Sequence, residues 1–270
     1  MAKKQIQTSN VNVCLSTKGG VGKSNLATQI LPFIIFNDKK NENKTLKIYE
    51  IDDNNISRID FSDKRIEKNS FKVNQANNVL EDLSNEIIDT NEIISICDAG
   101  GGNDTKAVLK YLDKNHLKNC NYYIPILGGE DILNLKQTME EIKKLDENSR
   151  IIIVLNRVTS LNKDDIKAEF WNVFGDENIG EDSHIETLDY DDMLLIPNLT
   201  IFSKLSKQKA SLIDVVNKTI EMKPTIMESR LKWKAESESL NKRNFGLFKF
   251  GEECVAGAKE ILNFNETIKG

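Results

Sequence analysis

The chain has 270 residues, is 39% hydrophobic and 29% charged, and carries a formal net charge of −5. That length suits one α/β domain with an appendage or two small domains, and the acidic balance excludes a globally basic DNA binder while leaving room for a local basic patch. Four cysteines (Cys14, Cys97, Cys120 and Cys254) share no C-x-x-C spacing, which argues against a zinc site or a disulfide framework; Cys14 and Cys97, in apolar runs, read as buried thiols.

Short apolar runs alternate with longer helical patterns, which predicts a mostly parallel sheet with crossover helices on its faces. In chain order the strands are expected at Val11–Ser16, Leu46–Ile51, Ile93–Cys97, Tyr122–Ile126, Ile151–Leu155 and Met193–Ile196. Helices are expected at Lys23–Phe36, Thr105–Leu112, Asp131–Leu145, Lys163–Val173 and Leu205–Ile220. Asp176 to Asp192 holds eight carboxylates and no Lys or Arg, without a calcium-loop pattern, and reads as a solvated loop. Ser203 to Phe250 is basic, with eleven Lys or Arg against five Asp or Glu. Pro224 is expected to break the helices there, with Thr225–Lys242 and Glu252–Phe264 following as further helices. The division expected is a main domain over 1–222 and a helical extension over 223–270. No stretch approaches 18 apolar residues and none follows Met1-Ala2-Lys3-Lys4, so neither a signal peptide nor a spanning helix is expected, and the expected location is cytoplasmic.

The chemistry concentrates in Ser16-Thr17-Lys18-Gly19-Gly20-Val21-Gly22-Lys23-Ser24, between the first strand and the first helix. Glycines let backbone approach an anion, and the turn's N–H groups with the positive end of the new helix face it. A strand, such a turn and a helix start form a triphosphate cradle. Lys23 would reach the β- and γ-phosphates, and the Ser24 hydroxyl would ligate Mg²⁺. The ordinary pattern G-x-x-x-x-G-K-[ST] would have Gly at position 17, where this chain has Thr17 followed by a second lysine, Lys18.

Lys18-Gly19-Gly20-Val21-Gly22-Lys23-Ser24 resembles the deviant Walker A motif, K-G-G-x-G-K-[ST], of the ParA/MinD family of P-loop ATPases (the SIMIBI class). The match is complete over seven residues. The resemblance implies an ATP-sandwiched homodimer in which Lys18 reaches the partner's phosphates, as an arginine finger does. Residues 18–25, with Asn25 after the motif, would then bind nucleotide, and Lys18 and Lys23 would act catalytically. Further along, Glu50-Ile51-Asp52-Asp53-Asn54-Asn55 stands where the family has D-x-D-P-Q. Asp52 matches the aspartate that orients the attacking water and is a further candidate metal ligand; Glu50 replaces the first aspartate, and Pro-Gln is absent. That local sequence is more similar to the plasmid stability and conjugation branch, the StbB/TraL-like proteins. Ile93 to Cys97 followed by Asp98-Ala99-Gly100-Gly101-Gly102 looks like Walker B and switch II, with Asp98 holding Mg²⁺ through a water. Asp104-Thr105 reads as the cap of the next helix. Asn156-Arg157 matches the place where the family binds adenine, and Leu195 to Leu199 resembles the final loop near the base.

The function so implied is a Mg-ATP-dependent dimerising switch ATPase, slow and partner-stimulated, in plasmid partition, stability or mobilisation. Its expected partners are non-specific DNA, a DNA-bound adaptor protein, or both. Candidate DNA contacts are Lys204, Lys207, Lys209, Lys232, Lys234, Lys242 and Arg243, against the alternative of a solvated helix face. A MinD-like protein recruited to a membrane or protein complex is the second reading, prompted by Asn244-Phe245-Gly246-Leu247-Phe248-Lys249-Phe250, although Gly246 and Gly251 interrupt an amphipathic pattern and a membrane is not the expected partner. A dethiobiotin-synthetase-like ligase lacks a visible acceptor motif. A scaffold that binds ATP without hydrolysing it is raised by Glu50. His116 and His184, the only histidines, share no motif and read as neither catalytic nor metal-binding. The resemblance covers about residues 10 to 220.

Overall fold

A parallel strand covered on both faces cannot alternate polar and apolar residues. Ile151-Ile152-Ile153-Val154-Leu155 meets that demand, and all five residues are buried. The computed structural model describes residues 10–53, 57–89, 92–129 and 132–269. Seven strands form one sheet: β1 (Val11–Cys14), β2 (Thr45–Ile51), β3 (Ile66–Phe71), β4 (Ile93–Ala99), β5 (Asn121–Ile126), β6 (Arg150–Val158) and β7 (Asp192–Pro197). The spatial order is β3-β2-β4-β1-β5-β6-β7, and every neighbouring pair is parallel. This is the expected α/β fold, and ligands of such sheets bind outside the carboxyl ends of the strands.

Helices cover both faces. On one face lie α1 (Lys23–Asn25), which runs through a π turn (Leu26–Ile30) into α2 (Leu31–Asn37), and, later in the chain, α8 (Ile201–Gln208), α9 (Leu212–Met222) and α11 (Glu238–Lys269). They bury Leu26, Leu31, Phe202, Leu205, Ile213 and Phe250 against Cys14, Ile48, Ile96 and Val154. On the other face, α3 (Ala76–Asp89), α4 (Asn103–Lys114), α5 (Ile132–Leu145), α6 (Lys163–Glu169) and α7 (Trp171–Phe174) pack against Val13, Tyr49, Cys97 and Ile153. The remaining helix, α10 (Ile226–Glu236), contributes no buried residue.

The six expected strands all form, and Ser16 belongs to the loop after β1 rather than to the strand. The structure adds β3 and α3, which the sequence reading lacks. β3 is an edge strand whose polar residues Lys68, Asn69 and Ser70 hide its periodicity, while α3 buries Ala76, Leu80 and Leu83. The start of the expected Asp131–Leu145 helix lies outside the described residues. The expected Lys163–Val173 helix divides at Phe170, whose φ of −108° and ψ of 41° are not helical. The expected Leu205–Ile220 helix is corrected to two. Lys209 closes α8 in the left-handed region at φ 54°, and Ser211 caps α9 by accepting from the Asp214 amide. Ser237, extended at φ −166°, likewise separates α10 from α11 within the expected Thr225–Lys242 helix.

Gly246 and Gly251 do not interrupt α11, which runs on to Lys269. Gly251 is a crossing point instead: a Cβ there would lie 2.0 Å from Thr219 Oγ1 on α9. The acidic segment 176–192 is a largely exposed loop leading into β7. All four cysteines are free and buried. Among the described residues no helix is long and apolar enough to cross a membrane.

Candidate functional site

Of the residues singled out in the sequence, Lys18 to Ser24, Glu50, Asp52, Asp98 and Asn156 stand at or just beyond the carboxyl ends of β1, β2, β4 and β6. Two glycines of the loop after β1 take positive φ, Gly20 at 79° and Gly22 at 99°, and helix begins at Lys23. Lys23 is buried, and its Nζ donates to the Lys18 carbonyl at 3.0 Å, so the side chain curls back over the loop. Burial lowers the Lys23 pKa, while Asp98 and Asp52 favour its charged form. Lys18 lies half-buried on the loop's outer turn.

Thr17, where the ordinary pattern has glycine, sits 3.2 Å from the Thr138 hydroxyl of α5 through its own hydroxyl. The loop after β4 lies against the loop after β1. The Gly102 amide donates to the Thr17 carbonyl at 3.1 Å, and a Cβ on Gly101 would stand 3.4 Å from the Gly19 nitrogen. Thr105 Oγ1 lies 3.0 Å from the Ser16 carbonyl and 2.7 Å from that of Gly100. The expected cap at Asp104-Thr105 is therefore corrected. Gly102 holds the N-cap position without a side-chain cap bond; Asp104 lies in the first turn, and Thr105 instead ties the two loops together.

Asp98, one residue from the end of β4, lies beside Cys14 of β1 and Glu50 of β2 in register. It is 3% exposed, and its Oδ1 has no hydrogen-bond partner among the described residues. Burial pushes its pKa up to about 7; the Ser24 hydroxyl and Lys23 pull it down, and Glu50 and Asp52 push it further up. A buried carboxylate oxygen left without a partner is costly unless something else satisfies it. Beside the Ser24 hydroxyl it forms an all-oxygen donor set, which suits a hard divalent cation such as Mg²⁺. The residues present therefore fit the implied metal.

Glu50 behaves differently. It is 1% exposed, yet both oxygens are engaged: Oε1 accepts from the Ser57 amide at 2.6 Å, and Oε2 accepts from Ser70 Oγ at 2.7 Å and lies 3.2 Å from Lys68 Nζ. Asp52 is half-buried at the end of β2, its amide donating to the Phe71 carbonyl at 3.3 Å. Asn54 and Asn55 of the motif lie outside the described residues.

Asn156 is buried, and its Nδ2 donates to the Val21 carbonyl at 2.7 Å. This clasp, rather than open space, surrounds Gly22: a Cβ there would meet Asn156 Nδ2 at 2.3 Å. A register shift between Asn156 and Val158 leaves Arg157 exposed at φ 66°. Gly22, Asn25, Asn156, Arg157, Pro197 and Asn198 help to line a cleft of about 450 Å³. Leu199 lines it as well, so the late loop does lie beside the cradle.

The basic residues do not form one described cluster. Lys204 pairs with Glu253 at 2.6 Å and lies 5.6 Å from the Phe250 ring centre. Lys207 on α8 and Lys209 at its end are exposed, as are Lys232 and Lys234 on α10 and Lys242 and Arg243 on α11. In the apolar tail, Phe248 and Phe250 are buried, and Phe245 stacks on Phe248 at 6.3 Å beneath Arg230. His184 Nδ1 lies 3.2 Å from Lys136 Nζ. His116 sits in a turn at φ 58°.

Sequence reasoning missed Thr138, Lys68, Ser70 and Gln29. Gln29, buried in the π turn, donates to the Ala210 carbonyl at 3.0 Å and accepts from the Leu212 amide at 2.6 Å, linking the cradle helix to the α8–α9 junction. The position of Thr17 could have signalled Thr138, since a hydroxyl in place of glycine needs a partner; nothing local marks the other three.

No family model matches the chain, and no curated protein matches it. Among solved structures, the chain is similar to a nucleotide-binding protein from Archaeoglobus fulgidus in complex with ADP. The identity is 13%, over 74% of this chain and 87% of that one, with a TM-score of 0.45. A likeness at that level carries no argument about what this chain binds.

Proposed function

We propose that the chain is a Mg-ATP-dependent switch ATPase of ParA type, which dimerises on ATP and releases its partner after slow hydrolysis. The observation that carries this reading is the glycine turn that leads from β1 into α1 at a buried Lys23, whose Nζ curls back to the Lys18 carbonyl and whose charge Asp98 and Asp52 both favour. Backbone N–H groups around Gly20 and Gly22 would receive the phosphates, Lys23 would swing from the Lys18 carbonyl to the γ-phosphate, and Ser24 and Asp98 would hold Mg²⁺, Asp98 through a water. Mg²⁺ supplies charge neutralisation on the phosphate oxygens when bound. Asp52 would accept a hydrogen bond from the attacking water and align it. The cleft beside Asn156 and Arg157 would take the base. One Asn156 amide proton is already committed to the Val21 carbonyl, so its carbonyl oxygen and remaining N–H are what it offers a purine edge.

Plasmid partition, stability or mobilisation, in the cytoplasm, is the biological role proposed, with DNA or a DNA-bound adaptor as partner. Exposed Lys207, Lys209, Lys232, Lys234, Lys242 and Arg243 support phosphate-directed contacts, with Lys204 the weaker candidate because Glu253 already pairs it. The membrane alternative rests on less, since Phe248 and Phe250 are packed inside. The deciding experiment is size-exclusion chromatography with light scattering in ADP and in ATP. An ATP-dependent dimer that Lys18→Ala abolishes is the expected result; a dimer indifferent to that substitution would leave only nucleotide binding.

A further inference from the structure

We propose that Glu50 and Lys68 form a clasp that positions Asp52 over the phosphate cradle, so that Glu50 is a positioning residue for turnover and not a ligand of nucleotide or metal. This inference rests on the ATPase reading above and deepens it.

Six contacts carry it. Glu50 Oε1 accepts from the Ser57 amide at 2.6 Å, and Lys68 Nζ donates to the Ser57 carbonyl at 2.7 Å. Both polar backbone groups of one residue are thus held by the two members of an ion pair 3.2 Å apart. Glu50 Oε2 accepts from Ser70 Oγ, whose residue is its register partner on β3. The near end of the same connection is fastened separately: the Val73 amide donates to Asp53 Oδ1 at 3.0 Å, and Lys72 Nζ donates to the Asp53 carbonyl at 2.7 Å. Asp52 therefore stands between two fixed residues, Glu50, held by Ser70 of β3, and Asp53, held by Lys72 and Val73 just after β3.

The geometry also accounts for glutamate at this place. Glu50 and Asp98 are register partners on adjacent strands, and the Glu50 charge works against ionisation of Asp98. Lys68 offsets that charge on the side away from the cradle. The extra methylene of glutamate, compared with aspartate, carries the carboxylate out to the Ser57 amide. Asp98 keeps an unpartnered oxygen, whereas Glu50 spends both of its own on the loop.

The test compares wild type with Glu50→Gln, Glu50→Asp and Lys68→Met, reading kcat for ATP, Kd for Mg-ADP and amide exchange at Ser57. Glu50→Gln keeps the side-chain shape and is the variant chosen to preserve the fold. The expected result is a fall in kcat of tenfold or more in all three, Kd within about threefold of wild type, and exchange at Ser57 faster by tenfold or more. Glu50→Asp keeps the charge and loses the reach, so a fall there separates positioning from electrostatics. Unchanged kcat alongside faster exchange at Ser57 would overturn the proposal, as would a proportional loss of kcat and nucleotide affinity. If the wild type binds ATP but never turns it over, the ATPase reading fails and Asp52 positioning fails with it. Exchange at Ser57 still reports on the clasp in that case, so the two failures are distinguishable.

Discussion

Two seams of this molecule depend on glycine, and they use it for opposite ends. In the cradle, Gly20 and Gly22 take positive φ, Gly22 admits Asn156, and Gly101 of the loop after β4 lies against Gly19. Close by, Asp98 Oδ1 is buried without a partner among the described residues. In the seam between α9 and α11, Gly251 is helical and does nothing but admit Thr219, whose hydroxyl is already satisfied by the Val215 carbonyl at 2.7 Å. One seam is frustrated where a ligand would settle it, and the other is settled as it stands. Burial and glycine alone therefore do not mark a site; what sets the loop after β1 apart is an unpartnered carboxylate oxygen on Asp98, whose charge the Ser24 hydroxyl and Lys23 favour.

The sharpest way to break that contrast is Asp98→Asn. Turnover should fall by roughly 10²-fold or more, and the Mg²⁺ dependence of nucleotide affinity should weaken, since the Ser24 hydroxyl remains. The ligand-free protein should nevertheless become more stable at pH 8, by up to roughly 4 kcal/mol. The sign follows from burial. The Asp98 carboxyl ionises near pH 7 when folded and near 3.8 otherwise. The folded chain holds the extra proton between those values, so this contribution is fully present below about pH 4 and is lost as pH rises through about 7. The advantage of the variant in urea melts should accordingly be absent near pH 4, grow with pH and level off above about 7. A variant no more stable than wild type at pH 8 would mean that the cradle is as settled as the helical seam.

A smaller effect is expected at Gly22. Alanine there must adopt φ near 99° and meet Asn156 Nδ2 at 2.3 Å. A loss of about 1–3 kcal/mol is expected, along with weaker nucleotide binding. Adding Asn156→Ala should recover only the steric part, which a double-mutant cycle in urea would resolve.

The helical glycines should affect stability alone. Gly251→Ala should destabilise by about 1–3 kcal/mol with nucleotide affinity unchanged, because its Cβ would fall 2.0 Å from Thr219 Oγ1. Gly246→Ala, with open space around it, should stabilise by roughly 0.5–1 kcal/mol in thermal melts. Equal outcomes at the two positions would erase the distinction between a crossing point and an exposed turn.

Six strands and the glycine turn before α1 were legible because each rests on local rules: apolar runs for strands buried on both faces, and glycines at positive φ where a loop enters a helix. β3 was not legible, since an edge strand may be polar and Lys68 and Ser70 find their reason only in Glu50 across the sheet. The breaks at Lys209 and Ser237 were hidden for a related reason. Neither Gly nor Pro marks them, and at Lys209 the left-handed turn is supported from afar, by the Asp60 amide on its carbonyl and by Gln29 on that of Ala210.

The sequence by itself determined the class of fold and the glycine turn that joins the first strand to the first helix, because both follow from neighbours along the chain. Only the tertiary structure decided what each buried acid is for. Glu50 and Asp98 look alike in the sequence, each at the end of an apolar strand. Folding placed Lys68, Ser70 and the Ser57 amide around the first and left an oxygen of the second bare. The physical reason is that a buried charge takes its meaning from its partners. Those partners arrive from strands and loops that no local pattern connects.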